Sequence, residues 1–506
     1  MPSFSPLALR NASATRRRDV PDVTLAEWRA WIVASVRTGC RIASLFGMPE
    51  ADHVRLIAVL ADDSQGKLLV ASTVAGSSYP ALTPECPQAH GFERELAEQW
   101  GIVPLGHPWL KPVRFHHSYR PGSDAWNRPA DSPVMPGVTN HFQAHGDELH
   151  EVAVGPVHAG IIEPGHFRFL CHGELVLHLE IMLGYQHRGV ERHLLGGPDA
   201  RTIHYLETLA GDTSIGHALA YAQAREALAQ CPVPLRAQAL RGIALELERL
   251  ANHTGDLGAL ANDVAFLPTA SFCGRIRGDF LNMTALFCGN RFGRGTILPG
   301  GTGFDADPAL LSDLSARLDA AAADLASASD LLWRSSSVVD RFEHTGVVPR
   351  ALCDELGLVG VAARASGAPV DVRSWFASGC YTGLHVLAAT SERGDVFARA
   401  QIRVLENHWS IDFIRAQIAA LAEGPSLAPC AEPAPDSLAV SLVEGWRGEI
   451  CHVALTDPHG RFALYKIVDP SFHNWMGLAL ALRNAQISDF PLCNKSFNLS
   501  YCGHDL

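Results

Sequence analysis

The chain has 506 residues, enough for two or more domains and a large core. Apolar residues make up 47% and charged residues 19%, a balance that fits a globular protein with much buried surface. A net charge of −12 excludes nucleic acid as a bulk partner, because neutralising phosphates takes clustered Lys and Arg.

No apolar run approaches the roughly 20 residues that a membrane helix needs, so any membrane link is expected to pass through partner subunits. The N-terminus carries no apolar signal segment. Residues 1–20, rich in Ser, Ala and Asn around Arg16-Arg17-Arg18, read as a solvated, disordered tail. The 12 cysteines form no CxxC pair, so reduced, mostly buried thiols are expected and no zinc or iron–sulfur site within this chain.

Thr24-x-x-Glu27 is a capping box ahead of Leu25, Trp28, Trp31 and Ile32, and predicts a helix there. Arg41–Gly47, Val54–Ala61 and Lys67–Val74 read as strands, the last two joined by a turn at Asp62–Gly66. A short helix, Phe92–Trp100, completes a small α+β domain over residues 1–118. The stretch His117–Gly146 is rich in Pro, Gly, Asp, Ser and Asn without periodicity, which places a linker at 119–148.

The second domain, 149–506, is expected to be mainly α with peripheral β-hairpins, making the chain α+β overall. Alternating runs at Phe167–Cys171 and Leu175–Ile181 flank His172-Gly173 and predict a hairpin. Behind it, His187-Arg188-Gly189-Val190-Glu191 and the loop Ala210–His217 bring His, Arg, Glu and Asp beside a helix start, where polar chemistry usually sits. In Leu235–Leu257 the apolar residues recur every three or four positions, with Arg241, Glu246, Glu248, Arg249 and Asp256 on the other face, read as solvated. Asp307-Pro308 caps a long helix, and Val396–Leu405 and Phe413–Leu421 read as two more, which makes this domain mostly α. The Gly-rich stretch Cys288–Gly301 lacks the order of a phosphate-binding loop and reads as a turn.

Taken together, GPVHAG…EPGHF…GYQHRGVE, Trp446-Arg447-Gly448-Glu449 and Asp469-Pro470-Ser471-Phe472-His473-Asn474 resemble the large subunit of energy-converting, formate-hydrogenlyase-type nickel–iron hydrogenases. They equally resemble the homologous quinone-site subunit of respiratory complex I. Glu93-Arg94-Glu95…Gly101-Ile102…Gly106-His107-Pro108 resembles the small accessory subunit of complex I, here fused in cis.

The hydrogenases of this family hold their metals with four cysteines from two loops. Anchored on His217 and on Asp505, those positions fall on Ala210, Thr213, Ser500 and Gly503, none of them a thiol. A nickel–iron centre is not expected, because hydroxyls do not replace soft thiolates. His217, Cys502 and His504 are the remaining candidates for a different metal. The position of the quinone-contacting Tyr of complex I falls near Gly211.

The resemblance assigns Glu191 and Arg188, of the Arg-Gly-x-Glu motif, and His217 to proton transfer. It places His158, His166 and Asp212 at a pocket for quinone or another acceptor. It also implies an iron–sulfur small subunit, a ferredoxin-like iron–sulfur subunit and antiporter-like membrane subunits as partners, at the cytoplasmic face of the membrane. The function implied is electron transfer from such a partner to quinone or another acceptor, coupled to ion translocation. The alternatives are a hydrogen-evolving subunit and a non-catalytic scaffold between a redox subunit and a membrane pump.

Overall fold

The computed structural model describes residues 4–506. In the first 105 residues an antiparallel sheet runs in the order Leu7–Leu9, Lys67–Ala75, His53–Asp62, Arg41–Glu50. The helix Leu25–Arg37 opens on the expected capping box, with the Glu27 amide donating to Thr24 Oγ1 at 3.3 Å and the Thr24 amide donating to Glu27 at 3.1 Å. It buries Trp28, Trp31 and Ile32 against the sheet.

The N-terminal tail differs from its reading as a disordered end. Leu7–Leu9 is the edge strand of the first sheet, whereas Ser13–Arg16 pairs with Ser437–Gly445 in another sheet. That second sheet continues through Gly448–Thr456 to Phe462–Val468. A polar tail with a sparse apolar pattern gives no local strand signal; here the partner strands supply the order. The two sheets share one hydrophobic core, in which Trp28, Phe46 and Val59 join Leu438, Val453 and Phe472.

Residues 106–148 contain no helix or strand, but they are not loose throughout. The buried Glu98 carboxylate accepts the amides of Val113, Arg114 and Phe115 at 3.1, 2.8 and 2.7 Å, strapping the chain to the helix His90–Trp100. The expected hairpin follows as His166–His172 and Leu175–Met182, with Leu149–Val154 added at its edge.

Leu235–Asp263, Leu267–Cys288, Pro308–Arg334 and Val396–Ala419 form the helical core. Helices approach closely at Gly258, where an added Cβ would lie 2.9 Å from Cys273 Cβ. Two expectations fail here for one reason. Val396–Ala419 is a single helix, because its polar middle is buried and bonded: Glu406 pairs with Arg364 at 2.8 Å and Ser410 donates to Glu246 at 2.6 Å. Likewise the charged face of Leu235–Asp263 is not solvated, since Arg241, Glu246, Glu248, Arg249 and Asp256 are all buried against other elements. Among the described residues no helix is long and apolar enough to cross a membrane.

Candidate functional site

The C-terminal segment closes onto the loops that precede Glu191 and His217. Asp505 accepts the amides of Gly184 and Gln186 at 2.7 and 2.9 Å, and the Leu506 carbonyl accepts those of Arg188 and Gly189 at 2.8 and 3.0 Å. The Arg188 guanidinium spends its donors on backbone, bonding the carbonyls of Thr208, Leu209 and Cys502 at 3.0, 2.7 and 3.3 Å. Arg188 thereby ties the Ala210–Thr213 loop to the last helix, Tyr501–Asp505.

Asp212 forms a two-point pair with Arg447, at 2.6 and 2.8 Å, and Arg447 also donates to the Asn498 carbonyl at 2.5 Å. Burial works against the Asp212 anion, but Arg447 outweighs it and holds the carboxyl below its usual range. Trp446 braces the same loop, its indole N–H donating to the Asp212 carbonyl at 3.0 Å and to Thr213 Oγ1 at 3.1 Å. Trp446 and Arg447 are the tight turn between Ser437–Gly445 and Gly448–Thr456, so the sheet aims both at the loop.

Behind this pair runs a buried chain of four side chains. Tyr465 OH lies 2.9 Å from His452 Nδ1, His452 Nε2 lies 3.1 Å from His217 Nδ1, and His217 Nε2 lies 3.1 Å from Asp469 Oδ2. With Asp469 ionised, the chain has one consistent sense: phenol to His452, His452 to His217, His217 to carboxylate. Burial and the neighbouring His217 hold the His452 imidazole well below its ordinary range, which keeps it neutral. Asp469 is also below its range, because the His217 bond and Arg447 overcome its burial.

The surroundings of the four positions matched to cysteine ligands do not fit a thiolate centre. Ala210 is sealed in apolar packing with Leu209, Tyr221 and Leu506. Thr213 is engaged with Trp446 and Asp212, and Ser500 Oγ caps the last helix by accepting the Gly503 amide at 2.9 Å. A Cβ at Gly503 would stand 2.6 Å from Asp469 Oδ2 and 2.8 Å from Ser500 Oγ, so the Asp469 carboxylate fills the place of that side chain. The other proposed ligands do not converge: His217 is committed to Asp469 and His452, and His504 Nδ1 to Asp505 at 2.9 Å. Cys502 turns towards Glu163 and Gly211, and burial pushes its thiol up to about 11.

The remaining expected residues lie around this centre. His158 Nε2 is 2.8 Å from the Gly165 carbonyl and His166 Nδ1 is 3.2 Å from that of Gly155, so both pin the 155–166 loop. That loop reaches the last helix through Glu163, which accepts the Cys502 amide at 3.2 Å. Glu191 faces the other way: it accepts from Lys466 Nζ and the Ile467 amide, each at 2.9 Å, and Lys466 also bonds Glu95 at 2.6 Å. Asp469, His452, Tyr465 and Glu163 were not singled out in the sequence. Asp469 stood only at the head of a phrase that carries the resemblance, and no local pattern marks His452 and Tyr465, which meet across two strands.

The model of the family described as "Respiratory-chain NADH dehydrogenase, 49 Kd subunit" matches residues 263–437. The chain is 32% identical over 350 residues to the carbon monoxide-induced hydrogenase of Rhodospirillum rubrum, covering 69% of this chain and 97% of that one. It is 28% identical to formate hydrogenlyase subunit 5 of Escherichia coli, covering 84% and 76%. Similarity to NADH-quinone oxidoreductase subunit 4 of Thermus thermophilus is also 28%, covering 68% and 90%. A chain in the structure of the membrane-bound sulfane sulfur reductase, an archaeal respiratory membrane complex, shares the fold with a TM-score of 0.67 at 21% identity, covering 71% and 99%.

Proposed function

This chain belongs to the family that joins the large subunits of membrane-bound hydrogenases to the 49 Kd subunit of respiratory NADH dehydrogenase, and from that membership we propose a specific role for it. It serves as the large subunit of a membrane-associated, complex I-like oxidoreductase. Electrons come from an iron–sulfur partner subunit and pass to quinone or another acceptor, with ion translocation by membrane subunits. A ferredoxin-like subunit feeds the chain of clusters, and the assembly sits at the cytoplasmic face of the membrane.

One observation carries the choice against hydrogen chemistry: the Asp469 carboxylate occupies the space that a side chain at Gly503 would need. Quinone reduction takes up two electrons and two protons per molecule. In this reading Asp212, with about a third of its side chain exposed, is the polar edge of the acceptor pocket, and His158 and His166 stand on the adjoining loop. His217 supports the carboxylate behind it. Arg188 holds the loops together, and Glu191 with Lys466 moves protons between the helix His90–Trp100 and the strand Phe462–Val468.

The test is made on the purified complex. Nickel, iron and quinone are quantified per copy of this chain, and acceptor reduction is compared for wild type and Glu191→Gln. The expected result is iron without stoichiometric nickel, and a fall of about tenfold or more in the variant with assembly intact. Stoichiometric nickel with hydrogen evolution would restore the hydrogenase. Unchanged turnover in both Glu191→Gln and His166→Ala would leave a scaffold.

A further inference from the structure

The charged face of Leu235–Asp263 is part of a buried cluster that the proposed role does not use. Its carboxylates are Glu246, Asp371, Glu406 and Glu444; its guanidiniums are Arg249, Arg364 and Arg373; its one imidazole is His253. Arg364 links Glu406 and Glu444, at 2.8 Å to each. Arg249 bonds Glu246 at 2.9 Å, and Arg373 pairs with Asp371 at 2.7 Å and approaches Glu246 at 3.3 Å. Four carboxylates face three guanidiniums, which leaves one negative charge uncompensated among buried side chains. Arg403 also faces His253, but Asp256 already matches it at 2.7 Å. Arg241 is likewise matched by Glu226. Such an excess charge favours taking up a proton, because burial penalises a carboxylate whose charge is not balanced.

Geometry says where that proton sits. His253 Nε2 meets Glu406 at 2.8 Å, but Nδ1 is buried without a hydrogen-bond partner. An imidazolium would have to bury an unpaired N–H there, whereas neutral imidazole leaves only an acceptor. Among the carboxylates, Glu246 receives Arg249, Arg373, Tyr381 and Ser410, and Asp371 receives Arg373 through two nitrogens. Glu406 has Arg364 and His253, with Arg249 3.8 Å away. Glu444 has the least support, one guanidinium and the Val372 amide at 3.0 Å. It also lines a small pocket of about 30 Å³, room for one water, with Gln223, Arg373 and Tyr381, that borders the half-buried Ser378 and the exposed Gly379.

The same residue lies in the strand Ser437–Gly445, two positions before the turn that grips the candidate site. Arg249 donates to the carbonyls of Glu444 and Gly445 at 2.7 and 3.0 Å, and the next two residues are Trp446 and Arg447, which hold Asp212 and Thr213. We propose that Glu444 is a proton-binding site, loaded from the Gln223–Ser378 pocket, and that the Trp446–Arg447 turn couples its protonation to the charge at Asp212. Burial, with Asp371 beside it, raises the Glu444 carboxyl to about 7, which puts loading and release near neutrality.

The measurement is the carboxylic-acid C=O stretch in infrared difference spectra of the whole protein, titrated from about pH 5 to about pH 9. It needs no turnover, so it stands apart from the proposed reaction. Glu248→Gln combined with Glu93→Gln and Asp263→Asn serves as background, because burial raises those three carboxyls as well, Glu248 to about 8. One titrating band is expected in that background, lost on adding Glu444→Gln and moved in midpoint by adding Asp212→Asn. A band that survives Glu444→Gln overturns the site, and a midpoint indifferent to Asp212→Asn overturns the coupling. If Glu444→Gln does not fold, Glu444→Asp decides: a band from Glu444 shifts in frequency or midpoint, and a band left unmoved refutes the assignment.

Discussion

At Gly503 the absence of one side chain sets the chemistry of the neighbourhood. Asp469 can lean into that space only because nothing larger than hydrogen stands there, and its carboxylate then anchors the His217–His452–Tyr465 chain. Gly503→Cys is therefore expected to lower the melting temperature by the equivalent of about 1–3 kcal/mol, the usual cost of overpacking, without conferring nickel binding. Thermal unfolding and metal analysis check both halves; an unchanged melting temperature would mean that Asp469 has room to withdraw. The sequence showed that a thiol was missing at this position. It did not show that a carboxylate thirty-four residues earlier had taken the space, because that neighbour is set by folding alone.

Between elements, Glu248 is the tie from Leu235–Asp263 to the start of Ser214–Ala229, accepting the amides of Ile215 and Gly216 at 2.7 and 3.1 Å. Burial raises its carboxyl to about 8 despite those two donors. The folded state then keeps a proton that the unfolded chain gives up above about pH 4.5, so the folded protein binds more protons in between. Its contribution to stability is complete below about pH 4.5 and is lost as the pH rises through about 8. The melting temperature of wild type minus that of Glu248→Gln should fall steadily from about pH 5 to about pH 8.5 and then level off. A difference constant with pH would show that Glu248 is ionised in the fold. Periodicity revealed this helix, and the same periodicity misassigned its polar face. A 3.6-residue pattern separates apolar from polar positions, but it cannot tell a solvated face from one that meets ion partners on Val396–Ala419 and residues 364–373.

For the molecule as a whole, the two parts of the chain are joined by more than the 106–148 stretch. Arg41 pairs with Glu449 at 2.9 Å, Lys466 with Glu95 at 2.6 Å, and Arg114 donates to the His504 carbonyl at 2.8 Å. The strands at Leu7–Leu9 and Ser13–Arg16 lie in different sheets and stitch them together. Cutting the chain at a protease site inserted between the exposed Met135 and Val138 should leave both fragments in one particle on size exclusion. Fragments that separate would show that the 119–148 segment, and not the shared core, holds the parts together.

The sequence by itself determined the family, the α+β class, the capped helices and the central hairpin, because short motifs, caps and turn residues act over a few positions. It also shows no thiol at Ala210, Thr213, Ser500 or Gly503, the positions that the resemblance assigns to the metal ligands. Tertiary structure decided the rest. Only packing brings Tyr465, His452, His217 and Asp469 into one chain, buries four carboxylates against three arginines, and recruits the N-terminal tail into two sheets. Those outcomes depend on partners tens to hundreds of residues away, and local periodicity carries no record of which side chain will be opposite.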